Sequence, residues 1–331
     1  MSAVLLAALA LTACGGTPDP APAAPAPTTV PPSVAARLDL DGPGPSEPRQ
    51  ALSLVPGEAD TVVLTDFRDL RGTLGAEGLT SESLMTDRTA FWERAGREAV
   101  MLTEGLLRQA DSRLWLDYDF SSDDVSWEAR FTGPDGPGFV LALRPDLDLA
   151  GVRAAIQADV APLGDARLLA AEHLLVSGVA ADDEPVWSDE PVWATLVEDD
   201  AEATYLRRGC IPLDEALGPD ATLEEQEPIE PAIAGLDPLE GFSVGFRGEL
   251  AIAWLGPDRI DLHRRADLPA LWPDRVGFDE AFTGDQVADP ATGRIGLQIG
   301  DPQVAARLTL TGELPFAVCD EFVPLPSPSG L

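Results

Sequence analysis

Ser126-Trp127-Glu128-Ala129-Arg130-Phe131 and Phe139-Val140-Leu141-Ala142-Leu143 flank Gly133-Pro134-Asp135-Gly136-Pro137-Gly138, a segment made only of glycine, proline and aspartate. Runs rich in aromatic and aliphatic residues, separated by turn chemistry, read as strands joined by a turn. Residues 114–120 predict a further strand before this pair. Residues 149–160 follow with an amphipathic helix behind the Asp146/Asp148 cap, and residues 167–177 with one strand or a hairpin. Upstream, Thr61-Val62-Val63-Leu64-Thr65 is β-branched. Phe91, Ala95, Leu102 and Leu106 recur near helical spacing after Thr86 or Asp87, in a stretch that Gly96 and Gly105 interrupt. The resulting order β-α-β-β-β-α-β predicts an α+β fold, a largely antiparallel sheet packed with a few helices.

Downstream lies a tandem hexad, Asp183-Glu184-Pro185-Val186-Trp187-Ser188 followed by Asp189-Glu190-Pro191-Val192-Trp193-Ala194. The second copy predicts a helix with Trp193, Leu196, Val197, Ala201 and Tyr205 on one face, ended by Arg207-Arg208-Gly209. Residues 212–235 are acidic and proline-bearing, and read as a surface excursion. Phe242, Val244 and Phe246 then alternate, and residues 250–255 return as their hairpin partner. Residues 259–263, 294–299 and 316–319 predict strands, and residues 301–308 a short helix. The globular region is expected over 51–323, as lobes 51–180 and 235–323 around a helical acidic connector 181–234. A tail follows at 324–331. The two ends share a loose strand, turn, strand, helix grammar, without a residue-level repeat.

The 331 residues carry 57 acidic and 22 basic side chains, a formal net charge of −35, and no lysine. A chain of this sign lacks the basic footprint that nucleic acid requires, and excludes that partner class. Without lysine, lysine-based chemistry is excluded as well. The acid excess reads as a solvated surface, as an adaptation to high salt, or as a surface that collects cations or basic partners.

Leu11-Thr12-Ala13-Cys14, behind the apolar run Ala3 to Leu11, resembles a bacterial lipobox. That resemblance implies a signal peptide over 1–13 and lipidation of Cys14. It implies a protein held on the outer face of the cell membrane through its lipid, although Met1-Ser2-Ala3-Val4 has no base of the kind that opens most signal peptides. Residues 14–50 are rich in proline and alanine, and a polyproline II spacer of that length reaches on the order of 100 Å. With Cys14 assigned to lipid, Cys210 and Cys319 remain as an even pair and predict a disulfide. Phe91-Trp92, Asp124-Val125-Ser126-Trp127-Glu128 and Gly209-Cys210-Ile211-Pro212 are similar to uncharacterised actinobacterial envelope lipoproteins. The resemblance implies location and fold, and no catalytic residue.

Three weaker constellations point to chemistry. Gly241-Phe242-Ser243-Val244-Gly245 matches the G-x-S-x-G pattern of serine hydrolases, and His263 with Asp258 follows in triad order. The continuing alternation instead places Ser243 within a strand. Asp117, Asp119, Asp123 and Glu128 fall on the register of a calcium loop, which makes calcium the one cofactor with a candidate site, although the flanking residues read as strand. Trp187 and Trp193, among acids and prolines, are candidates for a carbohydrate- or cation-stacking surface. The leading expectation is a non-enzymatic binding or scaffold module with a protein or envelope polymer as partner. A secreted hydrolase and a calcium- or carbohydrate-binding domain are the alternatives.

Overall fold

A computed structural model gives the fold and describes residues 47–133, 136–197 and 200–321. Cys14, most of the spacer and the tail lie outside the described residues. The elements run α1 (Glu47–Leu52), β1 (Thr61–Asp66), α2 (Phe67–Thr73), α3 (Met85–Glu98), α4 (Asp111–Tyr118), β2 (Val125–Gly133), β3 (Gly136–Leu143), α5 (Leu149–Gln157), β4 (Arg167–Leu169) and β5 (Leu174–Ser177). The chain continues through α6 (Pro191–Thr195), β6 (Ala203–Arg208), β7 (Gly241–Arg247), β8 (Leu250–Trp254), α7 (Leu262–Asp267), β9 (Phe282–Asp289), β10 (Arg294–Ile299) and α8 (Pro302–Thr311). Shorter helical turns connect them. Among the described residues ten strands join one antiparallel sheet in the order β4-β5-β3-β2-β1-β6-β7-β8-β10-β9, so the fold is α+β as expected.

That order is palindromic about the β1–β6 pair. Val63 faces Tyr205 at its centre, with Thr61 opposite Arg207 and Thr65 opposite Ala203. On each side a tight hairpin follows, β2–β3 with Gly133 paired to Gly136 and β7–β8 with Arg247 paired to Leu250. A helix comes next in each half, then an outer strand pair whose second member docks inside the first. The protein is therefore two βαββαββ halves related by a pseudo-twofold axis. The loose grammar shared by the two ends of the sequence reflects a structural repeat. It is invisible in residue identity, because the central strands β2 and β7 turn opposite faces apolar at matching register. In β2, Trp127, Ala129 and Phe131 face one side and Glu128, Arg130 and Thr132 the other. At the matching register of β7, Gly241, Ser243 and Gly245 face the first side, and Phe242, Val244 and Phe246 the second.

The first face is covered over the β2 half by α1 and residues 179–197, with Leu54, Trp187 and Trp193 packed on Leu64, Ala129 and Val140. The second face is covered twice. Helices α2 to α5 bury Leu141, Leu143 and Leu175 in one half, while α7, α8 and the turns of 213–239 bury Phe242, Val244 and Ile295 in the other.

Several elements differ from the sequence reading. Residues 111–118 form a helix rather than a strand, ended by Asp119 in the left-handed region. The alternation of Leu114, Leu116, Tyr118 and Phe120 suggested a strand, yet only Leu114 and Phe120 are buried. The predicted helix through Tyr205 stops at Thr195, and residues 203–208 are instead a central strand. The connector therefore carries one of the two strands that hold the halves together. Residues 259–263 enter α7, and β9, a polar edge strand, carries no strong apolar signal. The Asp148 cap is in place on α5, and Asp301 caps α8.

Cys210, just after β6, is bonded to Cys319, with their Cα atoms 4.9 Å apart. Beside it, Ile211 N–H donates to Ala317 O and Cys319 N–H to Ile211 O, each at 2.9 Å. The bond thus fastens the last described segment to the middle of the sheet. Replacing both cysteines with alanine is expected to lower unfolding free energy by up to about 4–5 kcal/mol in the chain-entropy account of a loop of about 110 residues. Urea unfolding of the two proteins side by side measures it.

Asp66 ends β1 and caps α2, accepting from Asp69 N–H at 2.9 Å. Burial lifts its carboxyl to about 6, against that hydrogen bond and the charge of Arg68. The folded state thus keeps a proton that the unfolded chain releases near pH 4, and stability from this group falls as pH rises from about 4 to 6. Asp66→Asn keeps the capping oxygen and removes the titration. Relative to the variant, the wild type is expected to lose on the order of 2–3 kcal/mol across that window in denaturant titrations at each pH.

Candidate functional site

A groove of about 1250 Å³ opens on the second face, beside the seam between the two halves. Its wall from the first half is α3, residues 102–112 and α4, with Ala161 and Pro162 at one end. Leu310 of α8 lines it from the second half, and Arg130 of β2 lies at its floor. Gln303 Nε2 donates to Gly96 O at 2.6 Å and ties the helices α8 and α3 together.

The floor is held by polar contacts within the first half, between β1, β2 and the loop that covers them. Thr65 and Glu128 are register partners on β1 and β2, and residues 99–107 pass over them. Thr103 N–H donates to Thr65 Oγ1 at 3.0 Å, and Leu106 N–H to Glu128 Oε2 at 2.6 Å. Arg130 Nε donates to Glu128 Oε1 at 2.8 Å. Burial raises the pKa of Glu128, opposed by the charge of Arg130 and the Leu106 hydrogen bond. Glu128 is fully buried while the Arg130 side chain is 41% exposed, and a pair that desolvates a carboxylate beside a partly solvated cation is weak support for a fold. The other half fills the same register with Phe242 and Val244, so the architecture itself does not require charges here.

The wall is a set of alternating planar groups. Arg88, almost fully buried, bonds to Asp123, and its Nη2 donates to Ser121 Oγ at 2.9 Å. Its guanidinium also lies 5.9 Å from the Trp115 ring centre. Trp92 Nε1 donates to the other oxygen of Asp123 at 2.8 Å, and Arg108 stacks on Trp92 at 4.5 Å. Gly105, with φ +84°, makes that stack possible: a Cβ there would stand 3.0 Å from the Arg108 side chain and 3.4 Å from the indole. Around these groups four large apolar side chains remain open to solvent, Met85 (57%), Trp115 (40%), Leu116 (70%) and Leu310 (48%).

No known protein family matches this chain. No curated protein is significantly similar to it. Two solved structures, crystal forms I and III of TP0453, overlap it with TM-scores of 0.31 and 0.29 at 8% and 7% identity. They cover 80% and 79% of this chain, and 96% and 98% of their own. At that level of overlap the likeness assigns nothing to this chain.

The residues of the candidate triad and of the calcium register are not brought together as a site. Ser243 sits within β7, buried, and its hydroxyl donates to Leu196 O. His263 lies on the exposed side of α7, and no hydrogen bond joins it to Ser243 or to Asp258. Gly241 serves packing rather than a nucleophile turn, since a Cβ there would meet the Trp193 ring at 2.3 Å. The calcium register fails geometrically: Asp117 and Asp119 end α4, Asp123 is engaged by Arg88 and Trp92, and Glu128 by Arg130. Among the described residues no three acids, histidines or cysteines converge as a metal site. Trp187 and Trp193 are 0% and 1% exposed and stack on each other at 4.2 Å, which removes them as a binding surface. They plug the first face of the sheet.

Sequence reasoning did not identify the groove residues Arg88, Trp92, Arg108, Trp115 and Arg130 as a site. The signal was present in Trp127-Glu128-Ala129-Arg130-Phe131, whose polar alternation reads as a solvent face but is placed under a covering loop. Asp123 is the hub of the wall and is 1% exposed. Asp123→Asn leaves Arg88 buried without a counter-charge, and is expected to cost about 3–5 kcal/mol in urea unfolding.

Proposed function

We propose that the protein is a non-enzymatic binding module of the bacterial envelope, tethered by a lipid on Cys14 and working through the groove between its two halves. The observation that carries the reading is the composition of the groove. Solvent-exposed aromatic and aliphatic side chains surround guanidinium groups on a wall fixed by buried hydrogen bonds, while no histidine or cysteine lines it. Large apolar side chains gathered on one surface mark a contact site, and a rigid, pre-ordered wall lowers the cost of binding. The lipobox resemblance and the proline-rich spacer support the location. Among the described residues no helix is long and apolar enough to cross a membrane, so a lipid on Cys14 is the membrane attachment this reading relies on.

The tether is tested by Cys14→Ser, which is expected to move the protein from the membrane fraction to the soluble fraction. The groove is tested by native mass spectrometry of the full chain mixed with organic and aqueous extracts of bacterial envelope. A one-to-one adduct is expected from one extract. It should disappear in the Leu116→Glu/Leu310→Glu variant, whose exposed positions leave the melting temperature within a few degrees of wild type. Absence of an adduct from both extracts, or its persistence in the variant, overturns the reading.

A further inference from the structure

The geometry points to a free single-chain amphiphile with an anionic head as the occupant of the groove, the chain lying along Met85, Trp115, Leu116 and Leu310 and the head meeting Arg108 and Arg130. This assignment rests on the binding reading above and specifies its ligand.

Two observations combine. The apolar side chains stand on both walls, Met85, Trp115 and Leu116 from the first half and Leu310 from the second, so an elongated apolar body can touch all four at once. Burying such surface stabilises a complex by roughly 25 cal/mol per Å² before ordering costs. The volume, about 1250 Å³, exceeds what one acyl chain of moderate length needs.

The second observation concerns unspent donors. Arg108 makes no ion pair among the described residues. The one hydrogen bond of its guanidinium among the described residues is a long 3.4 Å contact with Glu104 O in its own turn, so its fork is aimed by the Trp92 stack and left open. Arg130 commits Nε to Glu128, while its two Nη atoms make no hydrogen bond among the described residues. Guanidinium forks with free N–H groups beside apolar surface suit a carboxylate or phosphate head. The groove's acids do not cancel them in place. Asp123 is held by Arg88, and Asp111 by Ser122 through its N–H at 2.8 Å and hydroxyl at 2.6 Å. Glu93 and Glu104 stand exposed at the rim. On a chain of net charge −35, an anion finds little attraction elsewhere, so the arginines fix where the head goes.

The test uses the full chain with Cys14→Ser, so that no acyl group of the anchor competes, and three probes of equal length below micelle formation: tetradecanoate, tetradecanol and tetradecyltrimethylammonium. Tryptophan fluorescence gives affinity and native mass spectrometry gives stoichiometry. Tetradecanoate is expected to bind one per chain, at least tenfold tighter than either other probe. Arg108→Gln, at an exposed position, should remove at least fivefold of that preference, and Arg108→Gln/Arg130→Gln should bring tetradecanoate to the level of tetradecanol. The single variant keeps the test decisive if the double variant fails to fold. Equal binding of all three probes, or preference for the cation, overturns the anionic assignment while the binding module stands. Binding of none overturns the ligand class, and the extract adduct decides the broader reading separately. Capture of phosphatidylglycerol vesicles without binding of monomeric tetradecanoate would assign the groove to a bilayer surface, and overturns the proposal.

Discussion

The pairing of β1 with β6 is the constraint from which the rest of the molecule follows. Five register pairs from Thr61–Arg207 to Thr65–Ala203 join two βαββαββ halves into one sheet, with Val63 and Tyr205 at the pseudo-twofold centre. Each half presents an open strand to the other, and the exposed backbone donors and acceptors of both are satisfied only by this contact. The disulfide guards the same place. It grips the chain two residues beyond β6 and brings in the last described segment, so the seam is closed by a covalent tie at its end.

Symmetry in backbone is accompanied by asymmetry in chemistry. The second half spends Phe242, Val244 and Phe246 on its helices and leaves glycine and serine on the opposite face. The first half spends Trp127, Ala129 and Phe131 on the opposite face and keeps Glu128 and Arg130 under a polar loop. Buried charge appears on both sides of the molecule in different roles. Asp261 is gripped by Arg259 and Arg265 and reaches backbone carbonyls of 237, 316 and 318 through Arg265. Burial would raise its carboxyl, and those arginines bring it to about 2. That network is enclosed and closes on itself. The Arg88–Asp123 and Arg130–Glu128 pairs border a groove, where a low-dielectric wall strengthens any further ionic contact.

Local signals were legible and non-local ones were not. The β2–β3 hairpin announced itself through its glycine and proline turn, α5 through Asp148, and the cysteine pairing through parity once Cys14 was set aside. The hexad tryptophans misled because acids and prolines around an indole look solvent-exposed, whereas the stack of Trp187 on Trp193 is a plug whose room is made by Gly241, in a different half of the chain. The G-x-S-x-G match had the same origin: Gly241 leaves room for the Trp193 ring, and Ser243 is buried against the Leu196 carbonyl. The repeat escaped because face parity is inverted between β2 and β7, which erases identity while preserving every strand pairing. The groove escaped because its residues come from α3, β2 and α4, far apart in the chain, with Leu310 of α8 added from the other half.

The tie between Gln303 and Gly96 spans the seam between the halves, away from the sheet. Helices α3 and α8 ride on opposite halves, so this hydrogen bond links the two walls of the groove outside the β-sheet. The groove is thus bounded by a second, side-chain junction between the halves, independent of the backbone ladder of β1 and β6.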